Sequence, residues 1–209
     1  MMRKEPAFPV EGDRGEVRRP PEMAAGILPG ISMEIAIDLA CDDWRAVMPD
    51  AEEVCRRAAG AALAGLCAPG GAELSIVLTD DEAIRALNRE WRRIDAPTNV
   101  LAFPGDPDMT APAGIAGGDA PPLLLGDVIV ALETTQAEAR RDARPLADHL
   151  AHLIVHGTLH LRGYDHENDM DAEEMEALET AILKDLGIED PYEEAPADGS
   201  RLTGDDGHG

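Results

Sequence analysis

The first sustained pattern along the chain is a strict alternation of apolar and polar residues. Its apolar positions are Met33, Ile35, Ile37 and Leu39. A period of two residues is typical of a β-strand with one buried face. Two short apolar runs, 74–78 and 99–103, and a longer one, 123–132, predict three more strands. The last run is apolar at nearly every position, which indicates a strand that is covered on both faces.

Five segments have the wider apolar spacing of amphipathic helices. Their approximate ranges are 50–66, 79–92, 133–141, 145–161 and 171–186. The first, second and last begin with a capping residue that is followed three positions later by glutamate, a pair that favours a helix start. The fourth opens on Pro145, which suits the first turn of a helix, and its many leucines predict that it lies in the core.

The two ends of the chain lack any such period. Residues 1–32 mix charge, proline and glycine, and residues 189–209 are acidic and rich in glycine. Segments of this composition bury too little apolar surface to fold. We therefore predict a disordered extension over 1–32, one folded domain over 33–188 and an acidic disordered tail over 189–209. We expect removal of 1–32, or of everything after Pro191, to leave the fold and the metal content unchanged.

Composition limits the classes of function. The 209 residues carry a net charge of -24, which argues against a general nucleic-acid binder, because such proteins depend on many lysine and arginine contacts. RNA would have to meet a local basic patch. The three cysteines have no Cys-x-x-Cys spacing and indicate neither a disulfide framework nor a zinc ribbon. No apolar run approaches the roughly 20 residues of a membrane span, and we expect a cytoplasmic protein.

The fourth predicted helix holds the most informative polar residues. His156 and His160 are four positions apart, so they project from one face of a helix. Gly163 can supply the left-handed residue that ends the helix, and the following turn brings back His166. Three imidazoles leave one position of a tetrahedral zinc ion open for water, as in catalytic zinc sites. We therefore predict one zinc ion per chain, bound by His156, His160 and His166.

Two further histidines on this helix, His149 and His152, complicate the choice of ligands. His152 and His160 are separated by about 12 Å along the helix axis, whereas a zinc–nitrogen bond measures about 2 Å, so one ion cannot bind both. The turn that carries His166 selects the C-terminal end. We predict that His149 and His152 pack or form hydrogen bonds. The alternative for any such pair is a helix that binds no metal.

The residues around the histidines are similar to a known family. Residues 156–166, His-Gly-Thr-Leu-His-Leu-Arg-Gly-Tyr-Asp-His, resemble the signature of the YbeY family, the bacterial zinc-dependent endoribonucleases of ribosomal RNA maturation. Residues 87–104 resemble a second block with Leu-Asn, an aromatic-Arg pair, Asp-x-Pro-Thr and Val-Leu-x-Phe-Pro, although Trp91 stands where a tyrosine is common. Gly126-Asp127 is a third match. The resemblance extends over about 33–188.

Together, the predicted elements and the resemblance imply an α/β (α+β) fold. In this fold a mixed sheet of about four strands packs against about five helices in a single zincin-like domain. The resemblance also implies single-stranded regions of ribosomal RNA as the substrate and proteins of the small ribosomal subunit as further partners. At Gly157 this chain lacks the glutamate that serves as the base in His-Glu-x-x-His metalloproteases, so a protease of that type is not expected.

The second predicted helix carries a positive stripe. It consists of Arg85, Arg89, Arg92 and Arg93. A solvated helix face explains Arg85 and Arg93 better than a function does. Arg92 matches the aromatic-Arg pair of the family, which implies that its planar guanidinium binds the scissile phosphate. We predict Arg92 and His156 as the catalytic residues, the first stabilising developing charge and the second holding the metal that activates water.

Several alternatives stay open at this point. Asp127 and Asp165 either orient ligand imidazoles or are ordinary polar residues of a strand and a turn. The chain could also be a zinc hydrolase of peptides or small molecules, or a non-catalytic ribosome-assembly factor in which the metal has a structural role. An open fourth position on the metal favours an enzyme, and the arginine stripe favours a phosphate substrate over a peptide.

Overall fold

The computed structural model describes residues 33–66, 68, 70–105, 121–166 and 168–192. The elements in these ranges are β1 (Met33–Leu39), α1 (Asp43–Val47), α2 (Ala51–Ala62), β2 (Ala72–Thr79), α3 (Asp81–Arg92), β3 (Val100–Pro104), β4 (Leu123–Ala131), α4 (Leu132–Arg141), α5 (Leu146–Leu161) and α6 (Asp169–Asp185). All four predicted strands and all five predicted helices are present. The short helix α1 is an addition, because five residues are too few to show a periodic pattern. The predicted extension 1–32 and residues 193–209 of the predicted tail lie outside the described residues.

The four strands form one mixed sheet in the order β1-β2-β4-β3. β1, β2 and β4 are parallel. β3 runs antiparallel to β4, with Val100 opposite Val130 and Phe103 opposite Asp127. The predicted mixed sheet is therefore confirmed, and β3 is one of its two edge strands.

Different helices cover the two faces of the sheet. The residues of the main core that point to one face, Ile76, Leu78, Val128 and Val130, have no exposed surface and pack with α2, α5 and α6. Leu101, Ile129 and Ala131 alternate with these positions and join Ile84 and Leu87 of α3 in a second cluster. Because successive side chains of a strand point to opposite faces, α3 and α5 lie on opposite faces of the sheet.

Helix α5 packs directly on the sheet, and Gly157 makes this close approach possible. A Cβ at Gly157 would lie 2.8 Å from Cγ1 of Val128 and 3.5 Å from Cγ2 of Val100. Close packing therefore explains why this position holds glycine and not the glutamate of the metalloprotease pattern, since a side chain here would have to enter the sheet. None of the helices in the described ranges combines the length and apolar character of a bilayer span.

Gly157→Ala is expected to lower the free energy of unfolding by about 1–2 kcal/mol. Overpacking against a β-branched side chain costs about 1–3 kcal/mol, and alanine offsets about 0.5–1 kcal/mol of this through its helix preference. Gly60 of α2 is the matched control, because a Cβ there meets nothing within 4 Å, so Gly60→Ala should raise stability. Urea unfolding of both variants measures the difference. A Gly157→Ala protein as stable as the parent would contradict the close packing.

The chain continues to pack on the domain after α6 ends. Nη2 of Arg144 donates to the carbonyl oxygen of Pro191 at 2.6 Å. Oδ1 of Asp190 accepts from the Thr180 hydroxyl at 3.3 Å and from the backbone N–H of Tyr192 at 2.8 Å. These contacts place residues 190–192 against α6 and the start of α5. A deletion after Pro191 removes Tyr192 from this packing, so the expectation that it leaves the domain unchanged does not hold for Tyr192.

Candidate metal centre

The structure brings His156, His160 and His166 together at the C-terminal end of α5. One ring nitrogen of each lies within 4.8 Å of a ring nitrogen of the others. The ring centroid of His166 is 5.0 Å from that of His160 and 5.7 Å from that of His156. All three side chains are partly buried. They form a group of residues that could hold a metal ion.

A local turn delivers the third histidine of this group. Gly163 has φ 90°, and its N–H donates to the carbonyl oxygen of His160 at 2.9 Å. The N–H of Tyr164 donates to the carbonyl oxygen of Leu159 at 3.1 Å. This pair of hydrogen bonds around a left-handed glycine is a Schellman motif. It reverses the chain within one turn and places His166 beside the helix end.

Hydrogen bonds at Nδ1 determine which nitrogen two of the histidines present to the centre. Nδ1 of His156 lies 2.6 Å from Oε1 of Glu179, and Nδ1 of His160 lies 3.0 Å from the carbonyl oxygen of Tyr164. Both partners are acceptors, so each Nδ1 carries the proton and donates it. In the neutral form of both rings Nε2 is then the unprotonated nitrogen.

The Nε2 atoms of the two rings face each other. Nε2 of His156 lies 3.0 Å from Nε2 of His160, a separation at which a ring that carries a proton there can donate it to the other. When both nitrogens are unprotonated, a cation between them takes the place of that shared proton. A tetrahedral ion with bonds of about 2.1 Å spaces its ligand atoms by about 3.4 Å, close to the separation found. The residues present therefore fit a metal ion.

Electrostatics around His160 favour the neutral state that a ligand requires. Burial lowers the pKa of the His160 imidazole to about 3, and the nearby His156 and His166 act in the same direction. The ring is thus unprotonated at neutral pH, as metal coordination demands. Imidazole nitrogens suit zinc, copper, iron and nickel, whereas magnesium and calcium prefer oxygen ligands. The donor set fits a divalent transition metal.

A buried carboxylate, Glu179, joins this centre from α6. It has no exposed surface, and besides His156 it accepts a hydrogen bond from the Tyr192 hydroxyl. Nε2 of His152 lies 3.5 Å from its Oε2. Burial by itself raises the pKa of the Glu179 carboxyl, but hydrogen bonding to His152 and His156 outweighs it and holds the pKa below its usual value.

Glu179 was not among the residues predicted from the sequence, although a signal was present. Glu179 falls four residues after Met175 and four before Leu183, both of which are buried in the main core. A glutamate at a core position of an amphipathic helix is almost never fully buried unless it is paired. The position therefore indicated a buried partner, but the partner itself is 23 residues away in sequence and could not be identified from spacing.

The two other histidines of α5 have hydrogen-bonding roles. Nε2 of His149 lies 2.9 Å from Oε2 of Glu138, which also accepts from Nδ2 of Asn99 at 3.0 Å. His152 lies between Glu179 and the ring of Tyr192, whose centroid is 6.0 Å away. Neither His149 nor His152 belongs to the metal-binding group found among the described residues.

The aspartates that were candidates for orienting ligand rings lie elsewhere. Asp127 is exposed and alternates with Val128 on β4, so it points to the face of α3 and away from α5. Oδ1 of Asp165 accepts from the backbone N–H of His166 at 2.8 Å. Asp165 therefore orders the turn that carries His166, and in the described residues it is Glu179 that contacts a ligand ring through a carboxylate.

The predicted arginine stripe lies on α3. Nε of Arg85 is 2.8 Å from Oδ1 of Asp95, and both side chains are about half exposed, so this is a surface ion pair. Arg92 is the last residue of α3 and is partly buried. Trp91 beside it is 57% exposed, and its ring packs edge-on against Phe103 with a centroid separation of 5.8 Å.

The end of α3 and the histidine end of α5 meet the same segment of the sheet from opposite faces. Trp91 packs on Phe103, which pairs with Asp127, and Gly157 packs on the neighbouring Val128. Among the described strands β3 is an edge strand, so no described strand lies on its outer side.

Comparisons with known proteins cover most of the chain. The sequence model of the family described as Endoribonuclease YbeY matches residues 39–187. A protein named Endoribonuclease YbeY from Paramagnetospirillum magneticum is 54% identical over 165 residues, which are 78% of this chain and 98% of that protein. Its namesake from Azorhizobium caulinodans is 55% identical over 169 residues, 80% of this chain and 100% of that protein.

A solution structure of a protein from Thermotoga maritima aligns at 20% identity with a TM-score of 0.43, over 76% of this chain and 99% of that one. The matched family range extends from the end of β1 to the second residue after α6 and includes α3 and the turn that carries His166. The resemblance found in the sequence is confirmed by the family match and by relatives of more than 50% identity. The chain therefore belongs to the endoribonuclease YbeY family.

Proposed function

We propose that this protein is a zinc-dependent endoribonuclease that cleaves single-stranded regions of ribosomal RNA. The observation that carries the proposal is the pair of Nε2 atoms of His156 and His160, 3.0 Å apart with His166 beside them, in a chain of this family. The relatives at 54% and 55% identity bear the name endoribonuclease. The proposal extends that activity to this chain and adds the metal, the RNA class and the roles of residues.

The ligand set supports zinc in a catalytic role. Three neutral imidazoles are the donor set of catalytic zinc sites in which a fourth position stays open for water, whereas structural zinc sites are usually closed by four ligands rich in cysteine. The described group consists of three histidines. This composition favours an enzyme over an assembly factor with a structural metal.

The chemistry divides between the metal and two parts of the chain. When bound, zinc acts as a Lewis acid and lowers the pKa of water to about 7, which provides a nucleophile at neutral pH. His156 and His160 present Nε2 because their Nδ1 atoms already donate to Glu179 and Tyr164. Arg92 binds the scissile phosphate with its planar guanidinium and stabilises the charge that develops on it.

The surface beside Arg92 supports a single-stranded substrate. The chain carries a net charge of -24, so RNA must approach a local positive region, and the last turn of α3 contains Arg89 and Arg92. The exposed ring of Trp91 lies in the same turn. Unpaired bases stack on aromatic side chains, whereas the bases of a duplex are already stacked on each other.

Cleavage assays on purified protein test the proposal. The zinc-loaded protein is expected to cleave a single-stranded ribosomal RNA segment and to leave the same segment intact when it is annealed to its complement. A chelator should abolish cleavage, and added zinc should restore it. If the zinc-loaded protein cleaves no RNA, the assembly-factor alternative gains; if it cleaves peptides instead, the substrate class proposed here is wrong.

A further inference from the structure

We propose that Glu179 is the residue that positions His156 for metal binding, and that Tyr192 and His152 hold Glu179 in place. Through these contacts α6 and the segment that follows it take part in the metal site without supplying a ligand. The inference rests on the metal site of the proposed function, and it assigns a role to residues outside the group of three histidines.

The contact between Glu179 and His156 determines two properties of the His156 ring, its orientation and its tautomer. A histidine ring can present either nitrogen to a metal, and its neutral form can carry the proton on either one. An acceptor 2.6 Å from Nδ1 fixes the ring orientation and keeps the proton on Nδ1. Nε2 then faces His160 and is ready to coordinate. An anionic acceptor also makes the imidazole a stronger ligand.

The hydrogen-bond acceptors at Nδ1 of His156 and of His160 lie in different parts of the fold. His160 donates to the carbonyl oxygen of Tyr164, which belongs to its own turn, so the local backbone determines its orientation. His156 depends on a side chain 23 residues away on another helix. The orientation of His156 therefore depends on the packing of α6 against α5.

The second carboxylate oxygen of Glu179, Oε2, has its own hydrogen-bond partners. The Tyr192 hydroxyl donates to Oε2, and Nε2 of His152 lies 3.5 Å from the same atom. Tyr192 is fixed by its backbone N–H, which donates to Asp190, while Arg144 binds the carbonyl oxygen of Pro191. Residues 190–192 thus cover the Glu179 carboxylate and keep it directed at His156.

A second histidine–glutamate pair, which joins α5 to α4, provides a control. Nε2 of His149 lies 2.9 Å from Oε2 of Glu138, and His149 is as buried as His152, but it is not one of the three clustered histidines. Replacing Glu138 by glutamine therefore removes the carboxylate charge from a partner of another α5 histidine, although the Glu138 side chain is more exposed than that of Glu179. A loss of zinc affinity should therefore appear in Glu179→Gln and not in Glu138→Gln.

The experiment compares zinc affinity in Glu179→Gln, Glu138→Gln and the parent by competition with a chromophoric chelator. Glu179→Gln is expected to weaken zinc binding by about 10- to 100-fold, and Glu138→Gln should bind zinc as the parent does. Tyr192→Phe, which leaves the carboxylate in place, should weaken binding by a smaller factor and serves as the test variant if Glu179→Gln does not fold. Thermal melts of the metal-free proteins verify folding.

A second readout reports the ring itself. In metal-free parent protein labelled with ¹⁵N-histidine, His156 is expected to be the tautomer with the proton on Nδ1, and Glu179→Gln should shift part of it to the other tautomer. Unchanged affinity and tautomer in a folded Glu179→Gln protein would overturn the inference and leave the proposed function intact. Equal losses in both glutamine variants would also overturn it. A parent that binds no zinc would instead remove the metal site, and the proposed function with it.

Discussion

Alanine at His156, His160 or His166 is expected to abolish both zinc binding and RNA cleavage while the domain stays folded. Each residue is one of the three proposed ligands, so its loss should exceed the roughly 100-fold effect of losing an outer hydrogen-bond partner. The three side chains are only partly buried, which limits the cost to stability. Zinc per chain, measured after dialysis, and cleavage of single-stranded RNA test the prediction, and circular dichroism verifies the fold.

His149→Ala is the control for the three ligand variants. His149 lies on the same helix and pairs with Glu138, so its removal disturbs α5 without touching the clustered histidines. It should retain zinc and cleavage, and His152→Ala should retain zinc when the metal is supplied in excess. If His152→Ala emptied the site while His166→Ala kept its metal, the wrong end of α5 would have been chosen.

The parts of the centre that the sequence predicted are those determined by local geometry. His156 and His160 share a face because of helix periodicity, and Gly163 ends the helix because a left-handed residue is needed there. Both relations span fewer than eight residues. The predicted strands and helices follow from the same kind of local repetition, which is why the sheet could be predicted from apolar spacing.

Features that depend on contacts between residues far apart in the sequence were not predicted. Helix α1 is anchored by Trp44, which has no exposed surface and donates from Nε1 to the carbonyl oxygen of Thr79 at 2.9 Å. Nothing in a five-residue segment predicts that contact. Likewise, the N-cap of α6 is Asn168, whose side chain accepts from the N–H of Asp171. This cap lies three residues before position 171, where the helix was predicted to begin.

Strand alternation excludes Asp127 from the metal centre once the face of the sheet that α5 covers is known. Val128 and Val130 face the helix that carries the histidines, and a residue one position away must point to the opposite face. The sheet order was needed to know which face α5 covers. Glu179 shows the reverse case, in which an improbable charge at a core position signalled a buried role but only the fold revealed its partner.

Arg92→Lys is expected to keep the fold and the zinc but to lose RNA cleavage by a factor on the order of 10² to 10³. Lysine retains the positive charge but lacks the planar fork that binds two phosphate oxygens at once. The loss should therefore fall on the chemical step, measured as the single-turnover rate at saturating protein, while RNA affinity changes much less. Zinc content is measured for each preparation, because a metal-free protein would mimic a catalytic defect.

Arg85→Lys is the matched control, since Arg85 lies on the same helix and forms an exposed ion pair with Asp95, which lysine can also form. Exposed pairs of this kind are screened by solvent and contribute little, so cleavage by this variant should stay close to that of the parent. Equal losses in the two variants would mean that α3 contributes general positive charge and no specific phosphate contact. Full activity of zinc-loaded Arg92→Lys would remove Arg92 from the mechanism, and the charge of the transition state would then have to be stabilised by the metal and its three histidines.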